Sequence, residues 1–148
     1  MAGKISLYKL ILAGIFFMIL AQIVHTIGAF IAMGYYTNPD YFGVWSEIMM
    51  PGQGPPPFEF YYYSLFFNFI VGLMYAHVYT MVEKSVRGKS LFDKGIWYGC
   101  LLLLIGVIPG SLSLYLLIKL PVALIFEWAI EGVVISFLGA VVIAKTLE

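Results

Sequence analysis

Long apolar runs alternate with short polar breaks along this chain. They carry no charged stripe at the 3.6-residue spacing that marks a half-buried soluble helix. Four runs approach the ~20 residues needed to cross a hydrocarbon layer. They cover about 8–33, 62–82, 95–118 and 122–144. The pattern predicts an all-α, integral membrane four-helix antiparallel bundle, with residues 1–148 forming a single transmembrane domain. One long connection, about 34–60, joins the first two spans. In it Asn38-Pro39-Asp40 reads as a turn, Tyr41 and Trp45 suit a headgroup region, and PGQGPPP (51–57) precludes regular helix. A short interfacial helix followed by a stiff strap is expected there. Asp40, Glu47 and Glu59 in this connection fit a structural lid, with an acidic vestibule as the bolder reading.

Composition supports the membrane assignment. Hydrophobic residues make up 62% of the 148 and charged residues only 11%, against roughly 25% charged in soluble domains. Mean hydropathy is +0.97, more apolar surface than a soluble core absorbs. The formal net charge is zero, which argues against a nucleic-acid partner. The bilayer is the partner implied, with self-association or other membrane subunits beside it. The N-terminal apolar stretch outruns a signal-peptide core and lacks a small-x-small cleavage site, so it reads as a permanent span. Cys100 is the only cysteine, so no Cys-based metal motif exists.

Charge also sets the expected orientation. Lys4, Lys9, Lys84, Arg87, Lys89, Lys94 and Lys145 fall on one side of the four-span arrangement, and only Lys119 on the other. Positive residues favour the inside, which places both termini in the cytoplasm and the protein in the cytoplasmic membrane. Leu147-Glu148 is assigned no role.

Lipid supplies no hydrophobic force between helices, so small residues that let backbones approach set the packing. In span three Gly95, Gly99, Gly106 and Gly110 fall within an arc of about 60°. Span four offers Gly132 and Ser136 on another stripe, while Phe126, Ile130, Val133, Phe137 and Val141 form a face expected to meet lipid. Pro109 predicts a kink or break in span three, with Ser111 and Ser113 placed to satisfy the freed carbonyl.

The candidate chemistry lies in span four, PVALIFEWAIEGVVISFLGAVVIAK. Glu127 and Glu131 stand four residues apart, about 40° around the axis and so on one face. An ionised side chain at mid-membrane costs at least ~2.5–3.5 kcal/mol. Such acids therefore face a bundle interior or a wet cavity, and like charges at that spacing disfavour double ionisation. In span one His25 is accompanied by Gln22 and Thr26. At ~1.5 Å per residue His25 and Glu127 share a layer, with Glu131 deeper. His25 and Glu127 are thus placed to meet if spans one and four adjoin, with His25 as the polar partner of the acid pair. His77 falls ~15 Å away in depth, which disfavours two histidines clamping one haem, and it reads as an interfacial residue.

Glu127, Glu131, His25, Gln22 and Thr26 are therefore the candidate proton, cation or ligand-binding residues. The chemistry they suit best is binding or translocation of a proton-coupled small solute or cation. A non-catalytic accessory subunit is the first alternative, and a metal-dependent redox or lipid-modifying enzyme the second. No catalytic residue, metal site or cofactor is assigned. Nucleophilic triads, P-loops and HExxH motifs are absent.

Overall fold

The computed structural model describes residues 6–52 and 55–148. Lys4 of the charge pattern and Gln53-Gly54 of the proline-rich strap lie outside them. The described residues form helices and no strands: α1 (Leu7–Ile31), α2 (Met33–Tyr36), a 3₁₀ turn (Pro39–Val44), α3 (Phe58–Val82), α4 (Leu91–Leu102), α5 (Ile108–Leu117) and α6 (Val122–Leu147). A π-helical turn, Leu103–Val107, fuses α4 to α5. Four helical stretches are thus long and apolar enough to cross a membrane: Leu7–Ile31, Phe58–Ser85, Leu91–Leu117 and Val122–Leu147.

Local chemistry explains the limits of these elements. Pro57 has no amide hydrogen to lose and stands immediately before α3, which starts at Phe58, four residues earlier than hydropathy alone places the span. The third span opens on a capping box. Ser90 Oγ accepts from the Asp93 amide and Asp93 Oδ2 accepts from the Ser90 amide, both at 3.1 Å. At Pro109 the helix neither breaks nor leans on neighbouring serines. Proline crowds the carbonyl four residues back, and the wider π turn just before it absorbs the misfit without ending the helix.

Helix α1 lies between α3 and α6, and α4 packs on the other side of α6. Small residues mark the closest approaches. Gly14 of α1 meets Phe69 and Leu73, and Gly72 of α3 meets the Gly14 backbone and Phe17. Gly139 of α6 receives the Phe17 ring, while Gly95 and Gly99 of α4 sit against Val141 and Phe137. Gly132 faces Val107, Ser136 is buried with its carbonyl against Gly99, and Gly106 has only the Tyr75 hydroxyl nearby, at 3.8 Å. Gly110 has open space around it.

The α6 stripe expected to meet lipid is therefore divided. Phe126 and Ile130 are 67% and 62% exposed, whereas Val141 is 9% exposed beneath Gly95. The reason is that α4 lies along the C-terminal half of α6, while α5 diverges beyond the π turn.

The half of the bundle that holds the chain ends is close-packed. Phe17, Tyr79, Tyr98, Leu102 and Ile143 form its core. The Tyr98 hydroxyl donates to the Tyr75 carbonyl at 2.7 Å, and the Tyr79 hydroxyl to Glu148 Oε1 at 2.5 Å. Lys94 pairs with Glu148 at 2.6 Å, and Lys9 Nζ donates to the Leu147 carbonyl at 3.2 Å. These contacts engage Leu147 and Glu148, from which nothing was drawn in the sequence, and they put both ends of the described chain at one face. Burial raises the Glu148 carboxyl, but the bonds from Lys94 and Tyr79 outweigh it and hold it below its ordinary range.

The glycines make a direct test of this packing. A Cβ at Gly95 would come within 2.5 Å of the Val141 backbone, so Gly95→Ala is expected to cost about 1–3 kcal/mol through overpacking. Gly110→Ala has no such clash and should leave the melting temperature unchanged or slightly raised. Thermal unfolding of the two detergent-solubilised variants checks the contrast.

Candidate functional site

The opposite half of the bundle is hollow. A cavity of about 840 Å³ opens between the end of α1, the start of α3 and α6. The connection between the first two spans roofs it, contributing Met33, Tyr36, Thr37, Phe42, Met49, Met50, Pro55 and Pro56. Its polar side chains gather on the helices at the floor: Gln22, His25 and Thr26 from α1, Ser64 from α3 and Glu131 from α6.

Helix α1 sets His25 against α6. His25 Nδ1 lies 2.6 Å from Glu131 Oε2. Glu131 is buried, whereas the His25 side chain is 45% exposed and borders the cavity. Counting along the spans puts Glu127 level with His25, and the contact is with the acid one turn deeper. Counting residues places groups along their own helices but not the stagger between two helices, and a stagger of one turn moves the partner by four residues.

Glu127 is nonetheless part of the cluster. Its Oε1 stands beside the Glu131 carboxyl over the same turn of α1, and its Oε2 is buried without a hydrogen-bond partner among the described residues. Both acids crowd one glycine. A Cβ at Gly28 would overlap the Glu131 carboxyl and stand 2.5 Å from Glu127 Oε1. Gly28 escaped the sequence reading although it lies three residues from His25, because nothing in one helix shows which turn its neighbour will approach.

Gln22 and Thr26 are on the same wall. The Thr26 hydroxyl donates to the Gln22 carbonyl at 2.7 Å, and Gln22 Nε2 reaches Thr26 Oγ1 at 3.4 Å. Gln22 Oε1 accepts from Ser64 Oγ at 2.8 Å. Ser64 was not anticipated, since a lone serine at the head of an apolar span carries no pattern. His77 is exposed in the other half of α3 and takes no part.

Aromatic residues close the site toward the roof. Trp128 Nε1 donates to the Tyr36 hydroxyl at 2.8 Å, and the Trp45 ring centre lies 5.1 Å from that of Tyr36, tilted, and 6.3 Å from that of Trp128, edge to face. Burial pushes the Tyr36 hydroxyl above its ordinary range, and the nearby acids add to this against the opposing Trp128 bond. These three rings pin the connection onto α6. Tyrosine and tryptophan suit this place because each offers an apolar body with one polar handle.

No known protein family, curated protein or solved structure matches the chain. The chemistry must therefore be read from the site itself. A His-carboxylate contact with a second carboxyl behind it can hold a proton and pass it along a short chain of acceptors. Among the described residues no three or more His, Cys, Asp or Glu side chains form a set that could hold a metal ion.

Proposed function

We propose that this multipass membrane protein binds a small solute in the roofed cavity and exchanges a proton as it does so. His25 and Glu131 are the groups in contact with the cavity, and Glu127 is the acceptor behind them. The observation that carries this reading is the position of the His25–Glu131 pair, at the floor of a large concavity with the histidine half-exposed to it. Large, mainly apolar pockets with a few convergent polar groups are the usual form of small-molecule sites. Ionisable residues in spanning helices commonly mark substrate or proton paths. The lysine and arginine pattern puts both chain ends in the cytoplasm, so the roofed cavity faces the other side of the cytoplasmic membrane.

Vesicles that contain the protein and a trapped pH dye test the proposal. Addition of a panel of amphiphilic alcohols, quinones and amines should collapse an imposed proton gradient at least tenfold faster with the wild-type protein than without it. The Glu127→Gln, Glu131→Gln double variant should match protein-free vesicles. Equal rates for wild type and variant would eliminate proton exchange at this site.

A scaffold subunit is the second reading. It is favoured by the open surroundings of Gly110 on α5, since small residues on a lipid-facing helix permit close approach of another. Copurification of a second membrane protein without any solute-dependent proton movement would favour it.

A further inference from the structure

The cavity carries information about the ligand beyond its being small, and this inference rests on the solute-binding reading. Its floor is almost self-sufficient in hydrogen bonds. Ser64 donates to Gln22, and Thr26 is tied to Gln22. Glu131 is engaged by His25 Nδ1. What remains at the floor beside the acid is the second nitrogen of the His25 ring, Nε2, which makes no hydrogen bond among the described residues on a side chain that borders the cavity. The Tyr61 hydroxyl is also free among them, one turn nearer the connection. A group bonded through Nδ1 to a carboxylate presents at Nε2 either an acceptor or, once protonated, a donor.

The surroundings select against charge. A permanent cation would need a carboxylate free to face it, but Glu131 is buried against His25, and Glu127 does not border the cavity. An anion would meet the Glu131 carboxyl at the floor. Either would also lose hydration among Phe30, Met33, Phe42, Met49 and Phe60, and burying an uncompensated charge is expensive. The polarity gradient runs from a polar floor, deep between the helices, to an apolar wall beneath the connection. A phospholipid would place its polar group the other way round, at the membrane surface. A ligand that enters head first fits this gradient.

The geometry points to a neutral amphiphile as the occupant: a single hydroxyl or carbonyl head bonded to His25 Nε2, with an apolar body against the methionine and phenylalanine wall. A volume of about 840 Å³ is within the ~300–1,000 Å³ typical of sites for drug-sized molecules. A hydroxyl head donates to the neutral ring, and a carbonyl head accepts from the protonated one. Binding is thereby linked to the proton on the histidine–carboxylate pair without any covalent step.

Three probes with one apolar body separate the head classes: 1-naphthol, 1-naphthylmethylammonium and 1-naphthoate. Binding is measured on protein in lipid nanodiscs, with empty nanodiscs subtracted. Naphthol should bind at least tenfold more tightly than either ion. His25→Ala should weaken it at least tenfold. Thr37→Trp, at an exposed position on the cavity wall, should weaken it comparably by filling the space. Equal or tighter binding of an ion would overturn the assignment, as would unchanged naphthol binding in both variants. A decyl-tailed benzoquinone distinguishes sources. Tighter binding than naphthol indicates a ligand drawn from the membrane, and weaker binding one drawn from water; each supports the neutral head. These are equilibrium measurements, so a wrong head class leaves the proton-gradient experiment standing, and a failure of that experiment leaves them readable.

Discussion

Gly28→Ala is expected to be the most destabilising single-methyl change in the site, costing about 1–3 kcal/mol, the usual range for overpacking. The added carbon would overlap the Glu131 carboxyl and lie 2.5 Å from Glu127 Oε1. Neither acid has an easy retreat. Glu131 is held by His25 at 2.6 Å, and Glu127 has one oxygen already buried without a partner. The remaining response is for α1 and α6 to part, and this interface is among the most extensive in the bundle. A melting-temperature loss of roughly 2–12 °C would follow, on the scale of about 2–4 °C per kcal/mol for chains of this size. Glu131→Ala made in the same chain removes the obstructing group, so the double variant should recover more than additivity allows. If Gly28→Ala melts with the wild type, the close approach of α1 to the acids is wrong.

Glu131→Leu should have the opposite profile: at least a tenfold loss of solute-dependent proton movement, with thermal stability within about 1 kcal/mol of wild type or above it. Replacing a buried charged group by an apolar one of similar size is often neutral or stabilising, because desolvation offsets much of the attraction. Removing one member of a buried pair usually costs far more, but only where the other charge is trapped. Here the His25 side chain is 45% exposed and borders the cavity, so it is not trapped. Glu127 loses its neighbouring acid and with it any repulsion between the two. A scaffold in which these residues serve only to hold helices together predicts the reverse, a large stability loss with no flux to lose. Parallel measurement of melting and of gradient collapse on the one variant separates the two.

Much of the architecture is legible in the order of residues. The number of long apolar helices follows from the length and continuity of the apolar runs, since each spanning segment must satisfy its own backbone bonds. Helix α4 was less visible at its start. Ser90 and Asp93 have the spacing of a capping box, but hydropathy begins to rise only after them. The disturbance at Pro109 was readable in kind though not in form. A proline announces a lost hydrogen bond, and whether the chain answers with a break or a π turn depends on what packs beside it.

The site divides along the same line. That Glu127 and Glu131 share a face, and that carboxyls in an apolar span need shelter, are consequences of helix geometry and ion solvation, which one segment carries within itself. Their position beside His25, the crowding at Gly28, the link from Gln22 to Ser64 and the roof built from Tyr36, Trp45 and Trp128 are relations between segments far apart in the chain. The amino-acid order determined the helices, their apolar character and which residues were costly to expose. Only the tertiary structure decided the stagger of α1 against α6 and the hollow beneath the connection. Side-chain packing between helices selects both, and no property of a helix taken alone records where its neighbour will lie.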